Sequence, residues 1–415
     1  MQFLSIATDM TQYKNLLSIA IVASCILLVI NFGMRSSFGF FLQPISDSFG
    51  YGREVFAFSL ALQNLCWGLF QPLAGAVADK YGTFRAVIGG SLLYSLGIYV
   101  TANAGSAMEL HIGAGILIGM GISGTGLGLV LPAMARMVRP EKRALALGLG
   151  TAAGSLGQFL IIPVAQSFLE VYGWQTALLI LSAGALCMML FAPVFKGDAN
   201  VGSKMTDEPP QTLREALVEA RSHMPFWLLI AGFFVCGFQL AFITVHMPSY
   251  LGDKGFDGSV AATSLALIGL FNIIGSIAAG KFSGIYSKKM LLSYIYAGRA
   301  IIIVAFLITP ISLVSIYAFS IVTGLLWLAT VPPTSGLVAQ MFGLRYMGTL
   351  YGIVFLNHQI GSFIGVWLGG YYFDKTGSYD VIWWMAAVIA AVTALIHLFI
   401  NEQPVARLSL AKQEG

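Results

Sequence analysis

"FKGDANVGSKMTDEPPQTLREALVEARSHMP", residues 195–225, is the longest polar stretch in the chain, and a succession of apolar runs lies on either side of it. Twelve runs stand at about 16–43, 54–78, 85–103, 109–134, 143–169, 174–195, 225–250, 260–283, 289–309, 312–340, 346–371 and 379–400, so the stretch divides them six and six. Each nears or exceeds the roughly 20 residues that a helix needs to cross about 30 Å of hydrocarbon. A closed β-barrel would show shorter, alternating segments. Composition agrees. Of 415 residues, 57% are hydrophobic and 10% charged, against about 25% charged in a soluble domain, and mean hydropathy is +0.82. The expectation is an all-α membrane protein of twelve transmembrane helices: a bundle over 1–195, a cytoplasmic linker over 196–224 and a second bundle over 225–415. In the linker, "TLREALVEA" predicts a short surface helix, with Thr212 and Glu215 at capping-box spacing.

Charge sets the expected orientation. With the N-terminus inside, seventeen of the 22 lysines and arginines fall on the cytoplasmic side, three (Arg53, Lys254, Lys375) fall outside, and two (Arg35, Arg299) lie within runs. The positive-inside rule then places both termini in the cytoplasm. A net charge of +4 distributed this way does not point to nucleic acid. The opening MQFLSIATDMTQYK lacks a small-residue cleavage site, and the run after it is too long for a signal peptide, so it is expected to remain. Cys25, Cys66, Cys187 and Cys236 share no metal-ligand spacing and read as small core hydrophobes.

The two sets of six runs resemble each other. "SLAL" at 59–62 recurs at 264–267, a shift of 205, while Gly148 and Gly157 match Gly352 and Gly361 at a shift of 204. Parallel halves of this kind belong to transporters that bind substrate where the repeats meet.

At the end of the second run stands "GAVADKYGTFR", with Gly75, Asp79, Lys80, Gly82 and Arg85. It resembles the signature loop of the major facilitator superfamily, and it occupies the same place in the order of spans. The resemblance covers essentially the whole chain and implies that Asp79, with Gly75, Gly82 and Arg85, gates the transport cycle by contacting Arg136 at the end of span four and the region after Arg345. The second copy, "GKFSGIYSKK" (280–289), has Gly284 at the place of the aspartate. "KRALALGLGTAAGSLGQ" (142–158) resembles the span-five signature of monocarboxylate transporters and their bacterial relatives; small residues at such spacing also let helices pack closely. "GMRSSFGFF" resembles that family's first span, whose lysine falls on Ser36, one position after Arg35. In span eight the family's aspartate and arginine fall on Asn272 and Ser276.

Charges at membrane depth are costly and face a partner or a cavity. No carboxylate falls near the centre of a run, so Arg35 and Arg299 invite an anion from outside, and a guanidinium fork suits a carboxylate. The competing reading is a guanidinium bonded to backbone carbonyls. Other polar candidates are Gln63, Asn64 and Gln71 in span two, Gln239 and His246 in span seven, Asn272 and Ser276 in span eight, and Asn357, His358 and Gln359 in span eleven; of these, all but Gln71 and Gln359 are taken as candidate substrate contacts. Histidine is the side chain whose ordinary titration falls near neutral pH, which makes His246 and His358 candidates for a coupled proton. Nucleotide, metallohydrolase and serine-hydrolase signatures are missing, so no cofactor is expected and energy should come from gradients.

The expected function is secondary active transport of small organic anions, monocarboxylates first, by alternating access, with proton coupling left open. Import of larger carboxylate or siderophore-type metabolites, or export of amphipathic compounds, is the alternative within transport. A transporter-like receptor or an intramembrane enzyme is the alternative outside it. The expected setting is a monomer in a bacterial cytoplasmic membrane.

Overall fold

The structure is a computed structural model that describes residues 2–138, 143–196, 211–343 and 345–411, with side chains from 19 to 408 apart from residue 79 and residues 143–145. Arg139, Lys142 and residues 197–210 of the polar linker therefore lie outside the described residues, as does the side chain of Asp79. The described residues are helical, without strands.

The helix α1 (Gln2–Ser37) tightens into a 3-10 turn over Phe38–Phe41 and continues as α2 (Leu42–Phe49), which stops at Gly50 with φ 65°. After α3 (Arg53–Tyr81), Gly82 turns the chain into α4 (Thr83–Ala102) with φ 88°, a conformation that L side chains resist. A wide-turned stretch over His111–Leu117 joins α5 (Ala107–Leu110) to α6 (Ile118–Thr125); the helix breaks at Gly126 and resumes as α7 (Leu127–Met137). Next come α8 (Arg143–Leu186) and a 3-10 continuation over Cys187–Phe195. The linker helix is α9 (Leu213–Ser222), begun by the expected box: the Glu215 amide donates to Thr212 Oγ1 (3.3 Å) and the Thr212 amide to Glu215 Oε2 (2.8 Å). These bonds hold the Glu215 carboxyl below its usual range. The rest is α10 (Met224–Asp253), α11 (Gly258–Ser283), α12 (Lys288–Ile308), α13 (Leu313–Leu326), α14 (Val331–Phe342), α15 (Met347–Thr376), α16 (Asp380–Leu398) and α17 (Ala406–Ala411).

Among the described residues, ten stretches are long and apolar enough to cross a membrane. One of them, Ala146–Phe195, counts 50 residues, about 75 Å of helix and too long for a single crossing. It changes direction at Gly173 (φ 73°, ψ 169°), where the sequence reading separates spans five and six. The runs at 109–134 and 312–340 read as single spans, but each is interrupted, at Gly126 and over residues 327–330. Cys66 and Cys236 are buried as expected, whereas Cys187 is exposed on an apolar surface. All four thiols are free.

The chain forms two compact units, Met1–Phe38 with Leu69–Gly202, and Gly39–Gly68 with Ser203–Gly415. Helix α3 is therefore shared, divided at Leu69. In the first unit α1 packs on α8 so closely that a Cβ at Gly157 would run into the Val29 carbonyl, and one at Gly33 into Ile161. In the second, α10 packs on α15 the same way: a Cβ at Gly361 would meet the Phe234 carbonyl, and one at Gly237 the His358 carbonyl. Gly33 and Gly157 lie 204 positions before Gly237 and Gly361. The repeated glycines thus place α1 against α8 and α10 against α15 at backbone distance.

Candidate functional site

In the first unit, Arg35 is half-buried near the end of α1. Its neighbours Ser36 and Ser37 are buried, and Ser37 Oγ donates to the Met34 carbonyl (2.7 Å). One turn earlier, on the same face, Asn31 Nδ2 donates to Thr125 Oγ1 (2.6 Å), whose own hydroxyl donates to the Gly121 carbonyl (2.8 Å). The fully buried Tyr94 donates to the Asn31 carbonyl (3.3 Å), and its phenol lies within electrostatic reach of the Arg35 guanidinium. Neutral groups from α1 and α4 thus meet the break between α6 and α7 one turn from the arginine.

In the second unit the break between α13 and α14 has charged support. Arg299 of α12 donates to the Leu326 carbonyl from Nε (3.2 Å) and Nη2 (2.7 Å), to the Trp327 carbonyl from Nη2, and to Gln239 Oε1 from Nη1 (3.4 Å). Asn272 Oδ1 accepts from the Leu328 amide (2.9 Å) and from Ser276 Oγ (3.0 Å), while Cys236 Sγ meets Thr330 Oγ1 (3.2 Å). A helix end exposes carbonyls without intrahelical partners, and here a guanidinium satisfies them. Arg299 accordingly takes the arrangement that competes with anion binding. Beside it lies a cavity of about 10 Å³ lined by Gln239, Arg299, Thr323 and Trp327, room for about one water. Of the other candidates in this unit, Asn64 Nδ2 bonds the Leu60 carbonyl (2.8 Å), Asn357 Nδ2 bonds the Ile230 carbonyl (2.9 Å), and Gln63 is buried.

The two histidines differ. His246 is buried with both ring nitrogens engaged, Nε2 at the Val366 carbonyl (2.8 Å) and Nδ1 at the Tyr379 hydroxyl (3.2 Å). His358 lies between the rings of Phe233 (4.8 Å) and Phe355 (5.9 Å), and its Nδ1 is a buried atom without a partner. Next to it, Gln359 is fully buried and neither end of its amide is partnered. Gln359 belongs to the run of polar candidates that the sequence offers in span eleven.

Of the expected gating residues, Arg136 Nη2 donates to Thr83 Oγ1 (3.0 Å), joining the end of α7 to the turn after α3. Gly82 supplies the positive φ of that turn, Arg85 is exposed 5.8 Å from the Tyr81 ring, and a side chain at Gly75 would meet open space. The sequence reading missed a cluster at the start of α3, where Arg53, Asp253, Asp374 and Tyr379 converge. Hydropathy registers these residues only as charges and an aromatic near run ends.

A family model described as Major Facilitator Superfamily matches residues 24–366. An uncharacterised MFS-type transporter of Bacillus subtilis (strain 168), YcxA, is 26% identical over 386 residues, covering 89% of this chain and 92% of its own length. Monocarboxylate transporter 13 of Bos taurus is 25% identical over 393 residues, covering 91% and 88%. Among solved structures, a bacterial homologue of the human lysosomal transporter Spinster, in an inward-facing and unoccupied conformation, superposes with a TM-score of 0.69 at 15% identity over 96% of this chain and 97% of that one.

Proposed function

Because the chain belongs to the major facilitator superfamily, whose model spans residues 24–366, we propose that this multi-pass membrane transporter moves small organic anions, monocarboxylates first among them, by alternating access between two six-helix halves. Its relatives and fold are those of transporters rather than enzymes. The observation that carries the choice of substrate is Arg35. It sits half-buried in an apolar helix, within electrostatic reach of Tyr94 and one turn beyond Asn31, which bonds the end of α6 just before the break. A helix N-terminus carries positive partial charge, and interrupted helices in transporters offer such ends to anionic groups. Two relatives at about this similarity are named monocarboxylate transporters, which supports the same substrate class.

Ser36 adds a hydroxyl beside Arg35, and Gln63, Asn64, Gln239, Asn272, Ser276 and Asn357 form the polar contribution of the second unit. Arg299 belongs to that set as the clamp of its helix break. For a coupled proton, His358 is the stronger carrier, since its buried Nδ1 has no protein partner whereas both nitrogens of His246 are committed. The basic residues support a cytoplasmic placement of both termini, and the Bacillus relative supports a bacterial cytoplasmic membrane.

Uptake into proteoliposomes of labelled monocarboxylates, dicarboxylates and neutral amides of matched size tests the reading. Saturable uptake of the monocarboxylates that is lost in Arg35→Ala is the expected result. Equal uptake of the neutral amides overturns it.

A further inference from the structure

The linker helix α9 has one closed side and one open side. On the closed side Ala216 and Ala220, one turn apart, are buried. Glu219 is engaged there as well: Oε2 accepts from Gln211 Nε2 (2.9 Å) and lies 3.6 Å from Arg407 Nη2, which donates to the Phe342 carbonyl (3.1 Å). The Gln211 carbonyl accepts from the Tyr346 hydroxyl (3.0 Å). These bonds tie α9 to the end of α14 and the start of α15. The open side is of another kind. At about 3.6 residues per turn, Arg214 and Arg221 stand together in its middle, with Leu213 and Leu217 on one flank and Val218 on the other, and all five are exposed. Among the described residues no ion pair engages either arginine. The apolar surface continues into the first turn of the membrane span α10, where Met224 and Trp227 are 64% and 48% exposed. Trp227 Nε1 donates to the Arg221 carbonyl (2.8 Å), fastening the end of α9 to an indole of the kind that gathers at membrane–water boundaries.

We propose that the open side of α9, continued by Met224 and Trp227, is a binding surface for anionic phospholipid headgroups of the leaflet that α10 enters. Its occupant follows from continuity and charge. The patch adjoins a helix that crosses the bilayer, so its aliphatic side chains can enter the acyl boundary while the arginine stems lie along it and their guanidinium groups reach the headgroup layer. A guanidinium fork fits a phosphate. A zwitterionic headgroup offers the same phosphate with a cation beside it, so a lipid of net negative charge is held more strongly. The inference rests on the cytoplasmic placement of the termini in one respect: that placement makes the leaflet the anionic one. Substrate and direction of transport do not enter it.

The test places a bimane fluorophore on Val218→Cys in the full chain, in phosphatidylcholine nanodiscs, with the signal of the identically treated parent subtracted. Nanodiscs open both faces to the lipid, so the result does not depend on which way the protein is oriented in a cell. Increasing fractions of phosphatidylglycerol or phosphatidylcholine carry a nitroxide high on the acyl chain as quencher. Half-quenching should need about thirtyfold less phosphatidylglycerol than phosphatidylcholine, the factor expected of two basic residues at a membrane surface. Arg214→Gln combined with Arg221→Gln should bring the two lipids to parity. Raised salt should narrow the preference in the protein with both arginines, a check that needs no charge variant. Equal quenching by the two lipids overturns the proposal, as does a preference that survives both the double substitution and the salt. Quenching by dissolved iodide with none from either lipid overturns it too, and gives the face to water or to a protein partner.

Discussion

The two arginines within the apolar runs stand differently towards equivalent helix breaks: Arg299 bonds its break directly, whereas Arg35 lies one turn from Asn31, the residue that bonds the end of α6. Asn31, Tyr94 and Thr125 in the first unit lie 205 positions before Cys236, Arg299 and Thr330 in the second, and Arg35 lies 204 before Gln239. In the second unit the guanidinium comes from α12 and donates to the carbonyls of the broken helix. In the first unit that position holds the neutral Tyr94, an amide reaches the break, and the guanidinium comes from α1. The same framework therefore carries one arginine fixed by backbone dipoles and one that stands a turn away from the residue bonding its broken helix. Position in the repeat, more than residue type, separates a structural charge from a candidate ligand.

Replacing Arg299 with Met should have the largest effect on stability. It leaves the Leu326 and Trp327 carbonyls and Gln239 Oε1 to find other partners, a loss of about 3 kcal/mol or more at roughly 1–3 for each of the three stranded groups, visible as a lower melting temperature in detergent. Arg35→Ala should leave the melting temperature close to the parent's and remove its rise on adding a monocarboxylate; Arg35→Lys, with charge but no planar fork, should weaken that binding about tenfold. Equal destabilisation by the two arginine changes would erase the contrast between the units. Asp79→Asn should slow uptake several-fold while changing the dissociation constant less, because the residue lies in the last turn of α3, at the end of the helix; parallel losses in both would place it in the binding site. The smallest effect belongs to Asn31→Leu, about 0.6 kcal/mol for one hydrogen bond between membrane helices, and a loss comparable to that of Arg299 would mean that the amide carries the load of a charge.

Much of this architecture can be read in the sequence because length and small residues are local properties. Gly157 and Gly361 announce themselves by repetition, and both touch a backbone carbonyl of the facing helix. The box at Thr212 and Glu215 is equally local. The breaks at Gly126 and 327–330 are hidden because hydropathy measures how apolar a segment is, while a break depends on side chains from other helices that accept its orphan groups. Asn272 and Cys236 serve this purpose from 56 and 94 residues away. Arg53 and Asp253, separated by 200 residues, pose the same difficulty in stronger form. For Asp79 the motif points to a role, and its side chain lies outside the described residues.

Gly173 has a consequence for how the chain is made. The apolar stretch Ala146–Phe195 is interrupted there by a single left-handed residue rather than by a polar loop. A translocation machine that threads the chain residue by residue meets only the short interval from Glu170 to Thr176 at which to release a first segment before receiving the next. Two arms joined this tightly are expected to partition into lipid together, as a hairpin. A side chain at residue 173 would be felt first in the yield of inserted protein, before any property of the finished transporter.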